Sequence, residues 1–166
     1  MHAVWKVLII LASLAVLSQA LNFLSYRVLK ARILRKGRWD LNICSGKTDG
    51  GGVNADIAAH AEVPRFVLID SVYRLPFKDQ QFDTVLCSHT MEHVEDPEAF
   101  WQELARVGRK VTIVLPPLWD VAGVLNFWEH RWIFLTFRKK LDRLPPRVRL
   151  PFSRALQRRL GQRIHA

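Results

Sequence analysis

The first strong pattern along the chain is an unbroken apolar run. From Val7 to Tyr26 there are 20 consecutive residues without a charge. As a helix rising 1.5 Å per residue, such a run spans roughly 30 Å, the thickness of a bilayer core. Beyond it the pattern shortens to apolar stretches separated by turn residues. Leu41–Cys44, Val53–Asp56, Arg65–Asp70, Phe82–Ser88 and Lys110–Leu115 read as strands. The last three are rich in β-branched and near-continuous apolar residues, as strands buried on both faces are. Between the fourth and fifth strands the period changes. Phe100, Trp101, Leu104 and Val107 recur at helical spacing, with Asp96 as N-cap, Pro97 at the first helical position and Gly108 as terminator. Strand, loop, helix and strand in that order predict an α/β fold. The expected form is a doubly wound, mostly parallel sheet of about five strands, preceded by the hydrophobic helix.

Charge divides the chain in three. Residues 1–40 carry a net +6, residues 41–130 a net −6 and residues 131–166 a net +10, within 166 residues in all. The basic ends and the acidic middle therefore need not share a partner. Six cations, Arg27, Lys30, Arg32, Arg35, Lys36 and Arg38, follow the apolar run. The positive-inside rule then predicts a single-pass anchor with the remainder in the cytoplasm. Ser18-Gln19-Ala20 also has the small-x-small form of a signal cleavage site, and a core or interfacial helix is the third alternative. The domain reading is a membrane helix over 1–28, a basic linker over 29–40, an α/β domain over 41–118 and an aromatic and basic extension over 119–166. In that extension Phe152, Leu156, Leu160 and Ile164 form a helical stripe beside Arg154, Arg158, Arg159 and Arg163. This predicts an amphipathic helix for anionic lipid; nucleic acid is the competing partner, and the neighbouring anchor favours lipid. Two cysteines, Cys44 and Cys87, form no disulfide framework.

Several strands run into polar residues at their carboxyl ends: Cys44-Ser45-Gly46, Asp56, Asp70 and Ser88-His89. Ligands of open parallel sheets bind there, so these positions predict one crevice. Leu41 to Trp119 resembles the class I S-adenosylmethionine-dependent methyltransferases of the short methyltransferase-domain type. The likeness is carried by Leu41-Asn42-Ile43-Cys44-Ser45-Gly46, by Asp56, by Asp70 with Leu75-Pro76-Phe77, and by Phe82–His89 followed by Glu92-His93 and Asp96-Pro97. The resemblance implies a Rossmann-like fold with S-adenosylmethionine as cofactor. It implies Asn42, Cys44, Ser45, Gly46, Asp56, Asp70, Ser71, Ser88 and His89 as cofactor-binding residues. Asp56 would take the ribose hydroxyls and Asp70 the adenine side, and Gly46 with Gly50–Gly52 would bring backbone close to the methionine part. His89 is the expected catalytic residue, lining the site and serving as base if the acceptor is protonated.

Two departures stand out. The family has an acid where this chain has Asn42, and glycines where it has Cys44 and Thr48. Eight residues, Ser45 to Gly52, separate the first two strands, too few for an ordinary helical crossover, so the first helix is expected to be reduced or missing. A non-catalytic relative acting as a binding or scaffold protein at the membrane is the alternative to an enzyme. His89 to His93 also spells H-x-x-E-H, an inverted zinc-peptidase motif, but it starts at a strand end and no metal is expected. The anticipated acceptor is a small or lipid-like molecule.

Overall fold

The computed structural model describes residues 2–151, Ser153 and Ala155. Its elements begin with α1, His2–Phe23. This helix continues into a π-helical stretch, Leu24–Leu29, and then into α2, Lys30–Lys36. Five strands follow: β1 Trp39–Ile43, β2 Gly51–Asp56, β3 Phe66–Leu68, β4 Phe82–Ser88 and β5 Gly108–Val114. Helix α3, Pro97–Val107, lies between β4 and β5. The remainder holds a short α4, Val121–Val124, and β6 Trp132–Phe134, β7 Lys140–Leu141 and β8 Arg147–Arg149.

The main sheet has six strands in the order β3-β2-β1-β4-β5-β7. The first five are parallel, and β7 pairs antiparallel with β5. The expected count of about five strands thus gains one, supplied by the extension after residue 118. Two residues of β-structure, Lys140–Leu141, leave too short a sequence pattern to announce it. A separate hairpin joins β6 and β8. The order reverses between β1 and β4, and an open α/β sheet places its ligand crevice at that switch point, beyond the strand carboxyl ends.

One face of the sheet is filled by α3. Asp96 caps the helix by accepting from the backbone N–H groups of Glu98 and Ala99, at 3.0 and 3.1 Å. Phe100, Leu104 and Val107 are buried against Leu41, Ile43, Val85, Cys87 and Ile113. The Leu75-Pro76-Phe77 turn is tied to the same helix. The Leu75 N–H donates to Glu103, and Arg106 donates to the Leu75 and Phe77 carbonyls.

On the other face the register sets Asn54, Asn42, Leu86 and Thr112 side by side across β2, β1, β4 and β5. Here α2 provides cover: Ile33 and Leu34 pack on the buried cluster of Trp39, Leu86 and Val114. Residues 29–40, read from sequence as a linker, hold α2 and the first residues of β1. The stripe read over Phe152–Ile164 lies, apart from Ser153 and Ala155, outside the described residues.

No helix joins β1 and β2 in the described chain; Cys44–Gly50 makes the whole crossover. Buried Asn42 donates from Nδ2 to the Thr48 carbonyl (2.9 Å) and to Asn54 Oδ1 (3.1 Å). Asn54 Oδ1 also accepts the Gly50 N–H, and its Nδ2 donates to Asp49 and to the Pro64 carbonyl. This amide pair holds the loop that a helix would otherwise brace. Gly50–Gly52 serve the strand pairing here, a correction to the cofactor role expected of them. A Cβ on Gly52 would sit 2.3 Å from the Trp39 carbonyl oxygen, and one on Gly50 would sit 2.6 Å from the Asn42 Cβ.

Candidate functional site

A cavity of about 560 Å³ opens at the carboxyl ends of β1, β2 and β4. Its size falls within the roughly 300–1,000 Å³ of small-molecule sites. Asn42, Cys44, Ser45, Gly46, Asp56, Ser88 and His89 all line it. Asp70 and Ser71 do not: they follow β3, one strand further out, and Asp70 is exposed. The sequence pattern carries the third strand through to Asp70, whereas β3 stops at Leu68 and both residues lie beyond it.

Asp56 is buried at the tip of β2. Its Oδ2 accepts the Gly46 N–H at 2.8 Å and its Oδ1 accepts the Ile57 N–H at 2.8 Å. Each oxygen keeps a second lone pair, so the carboxylate positions the glycine loop and can still accept from a diol. Gly46 has φ +55°, and a Cβ added there would meet nothing within 4 Å. The left-handed backbone is thus open toward the cavity. Ser45 Oγ and Ser88 Oγ, both on the cavity wall, are buried without a hydrogen-bond partner among the described residues. Burial pushes the Cys44 thiol up, and neighbouring Asp56 adds to that, so the thiol stays protonated.

His89 follows β4 directly, in a left-handed conformation, φ +56°. Its Nδ1 lies 3.1 Å from Glu92 Oε1 and its Nε2 lies 2.8 Å from Lys139 Nζ. Lys139 in turn donates to Ser25 Oγ at 2.9 Å. Donor and acceptor roles close in one way: Lys139 donates to Nε2, and the Nδ1–H donates to Glu92. Burial lowers the His89 pKa, against the pull of Glu92, which keeps the ring neutral. Burial works against ionisation of Glu92, but the His89 hydrogen bond and the surrounding imidazoles outweigh it and hold the carboxyl low. Lys139 is pushed down to about 8, chiefly by burial.

Sequence reasoning missed the contribution of the N-terminal helix. Tyr26, Lys30 and Leu34 line the cavity, and the Tyr26 ring meets His89 edge-on with centroids 5.3 Å apart. Trp128 and His93 line it from the other side. Nothing local marks Lys139, which resembles every other cation of a basic segment until β7 sets it against β5.

A family model described as a methyltransferase domain matches residues 52–115. No curated protein sequence matches the chain. Among solved structures, an S-adenosylmethionine-dependent methyltransferase from Thermotoga maritima is 19% identical, with a TM-score of 0.40, covering 57% of this chain and 55% of its own. One from Aquifex aeolicus is 15% identical, with a TM-score of 0.39, covering 51% and 62%. A protein from Pyrococcus horikoshii is 18% identical, with a TM-score of 0.45, covering 80% and 78%. The chain thus spans little more than half the length of the first two.

Proposed function

We propose that this chain, whose residues 52–115 match a methyltransferase domain, is a membrane-anchored S-adenosylmethionine-dependent enzyme that methylates a small, lipid-like acceptor. The observation that carries this reading is the descent of the apolar helix into the cavity wall. Residues 3–35 form one helical run whose 18-residue apolar window has a mean hydropathy of 2.2 and holds no buried residue. The same run delivers Tyr26, Lys30 and Leu34 to the cavity. A helix that spans a bilayer would therefore set the cavity mouth at the lipid headgroups, on the side of Arg27, Arg32 and Arg35. Exposed Trp128, Phe127, Leu125 and Val121 lie around α4, which packs beside α1 through the Asn22–Asp120 hydrogen bond of 3.0 Å. Aromatics so placed suit the membrane interface.

The cavity residues fit the cofactor's polar groups. Asp56 would hold the ribose hydroxyls, Gly46 would let backbone approach the amino-acid end, and the unpartnered Ser45 and Ser88 hydroxyls would meet polar atoms. When bound, the cofactor supplies an electrophilic methyl group, so the protein's work is positioning and exclusion of water. Tyr26 and Trp128 would close the site over an apolar acceptor. His89 holds a fixed orientation between Glu92 and Lys139. It can take a proton at Nε2 only when Lys139 Nζ leaves that atom or has itself lost a proton, which a pKa near 8 makes accessible.

The test is the full-length chain in liposomes with methyl-labelled S-adenosylmethionine. Label in the organic extract is the expected result. Label confined to the aqueous phase overturns the lipid-like acceptor, and no binding of millimolar cofactor overturns the enzyme. The second reading, a non-catalytic binding protein at the membrane, is favoured by Asn42, whose amide is consumed in holding the loop. Cofactor binding without turnover on any membrane extract is its signature.

A further inference from the structure

Beside the cavity lies a cluster that touches the proposed methyl-transfer site only through Glu92, which holds His89, and through His93, which lines the wall. We infer that Glu92, His93 and His130 bind one divalent ion of the zinc class. One ligand atom from each lies within 4.8 Å of the others. Backbone hydrogen bonds bring them together: the Arg131 and Trp132 N–H groups both donate to the Glu92 carbonyl, at 2.7 and 3.2 Å. The turn after β4 and the loop before β6 are thereby laid side by side.

Glu92 and His93 each have one atom tied down and one left over, and His130 has a free ring nitrogen among the described residues. Glu92 Oε1 is engaged by His89, whereas Oε2 is buried with no partner among the described residues. His93 Nδ1 lies 3.0 Å from the Glu129 carbonyl, which fixes the proton there and leaves the Nε2 lone pair free. His130 is buried, and its Nδ1 likewise has no partner. The imidazoles meet edge to face, with centroids 4.9 Å apart and planes at 81°. A ligating histidine whose other nitrogen is held by a backbone carbonyl is the usual supporting arrangement of a metal site. Without a cation, a carboxylate oxygen and an imidazole nitrogen stand out of water with no partner among the described residues, an arrangement that folding disfavours.

The donor set selects the ion. Two imidazoles and one carboxylate suit zinc and its neighbours, and they do not suit magnesium or calcium, which prefer oxygen. Zinc bonds of about 2.0–2.2 Å place tetrahedral donors roughly 3.4 Å apart, so side-chain torsions need draw the atoms in by about 1.4 Å at most. His89 takes no part, because both of its nitrogens are engaged. The ligands are therefore not those that H-x-x-E-H would name, and the sequence expectation of no metal is revised on this geometry. Only His93 of the three lines the cavity. The ion would cross-link two loops and fix Glu92, and through it the His89 ring.

The experiment takes the full-length chain in detergent, strips it with chelator, and titrates it with zinc chloride alone. One equivalent bound is expected. The affinity should fall in both His93→Ala and His130→Ala by more than the roughly 10–100-fold that loss of a supporting hydrogen bond costs. It should hold in His60→Ala, the variant of a cavity-lining histidine outside the cluster. X-ray absorption on the zinc-loaded wild type, independent of whether the variants fold, should count two imidazoles and no sulfur. No uptake by the folded wild type, uptake that survives both histidine variants, or a sulfur ligand from Cys44 or Cys87 would overturn the site.

Discussion

Lys139 Nζ donates to Ser25 Oγ across 2.9 Å, and by that bond the π-helical stretch at the foot of the apolar helix is joined to the cavity. Ser25 is the one buried residue of that stretch. A π-helical insertion rotates the residues after it, and such insertions occur often at functional sites. Here the widened turn sets Ser25 on Lys139 and Tyr26 on His89. Ser25→Ala should therefore lower stability by about 1–2 kcal/mol, because one N–H of the buried Lys139 ammonium loses its acceptor while His89 keeps another, and a denaturant midpoint of the detergent-solubilised chain would read it.

Lys139 also sets a pH window. Its pKa falls from 10.5 to about 8 on folding, so between those values the unfolded chain binds more protons than the folded one. Stability should rise as pH climbs from about 8 to 10.5, and be lowest on this account below 8. Lys139→Met should flatten that rise, and thermal midpoints measured across the window for both proteins decide it.

Asp56 and Asp70 should behave differently despite their matching places in the sequence pattern. Loss of a charge-assisted acceptor inside the cavity costs about 1.5–3 kcal/mol, so Asp56→Ala should weaken S-adenosylmethionine binding roughly 10–100-fold by calorimetry. Exposed Asp70, outside the lining, should tolerate Ala with less than about a threefold change.

An acid at position 42 should damage this chain. Asn42→Asp turns a double donor into an acceptor facing the Thr48 carbonyl and Asn54 Oδ1. Asn54 cannot flip to compensate, because its Oδ1 also accepts the Gly50 N–H. A loss of about 3 kcal/mol or more is expected in urea unfolding, with Asn42→Asp/Asn54→Asp no better.

The two kinds of glycine can be told apart in the same way. Gly52→Ala drives a Cβ into the Trp39 carbonyl and should break the β1–β2 pairing, lowering the melting midpoint by many degrees or abolishing folding. Gly46→Ala meets no atom but must hold φ +55°, a cost of about 1 kcal/mol, with its larger effect on cofactor affinity.

Local chemistry made the centre of the sheet legible. Asp96 and Pro97 open α3 as their residue types require, and β-branched runs mark β4 and β5, whereas Gly108 follows the helix in extended backbone and owes its place to close packing on Val85. The crossover without a helix also followed from chain length alone. What stayed hidden depends on distant pairing. Lys139 meets Ser25 across 114 positions and Trp132 meets Val94 across 38, and neither contact leaves a periodic trace. His130 sits in an irregular loop, where a histidine reads as solvent-facing until the backbone bonds to Glu92 bury it. The glycine run misled for a related reason: its need was a close strand partner rather than a ligand, and sequence shows only the missing Cβ.

Because α2 roofs one sheet face and Tyr26 and Lys30 stand in the cavity wall, the amino-terminal segment is not a detachable tether. Trimming the gene back to the first strand, the usual route to a soluble fragment, would strip Ile33 and Leu34 from the barren side of the sheet and leave the pocket gaping. Fragments beginning after Lys36 should aggregate or stay inert, whatever the fate of the bilayer.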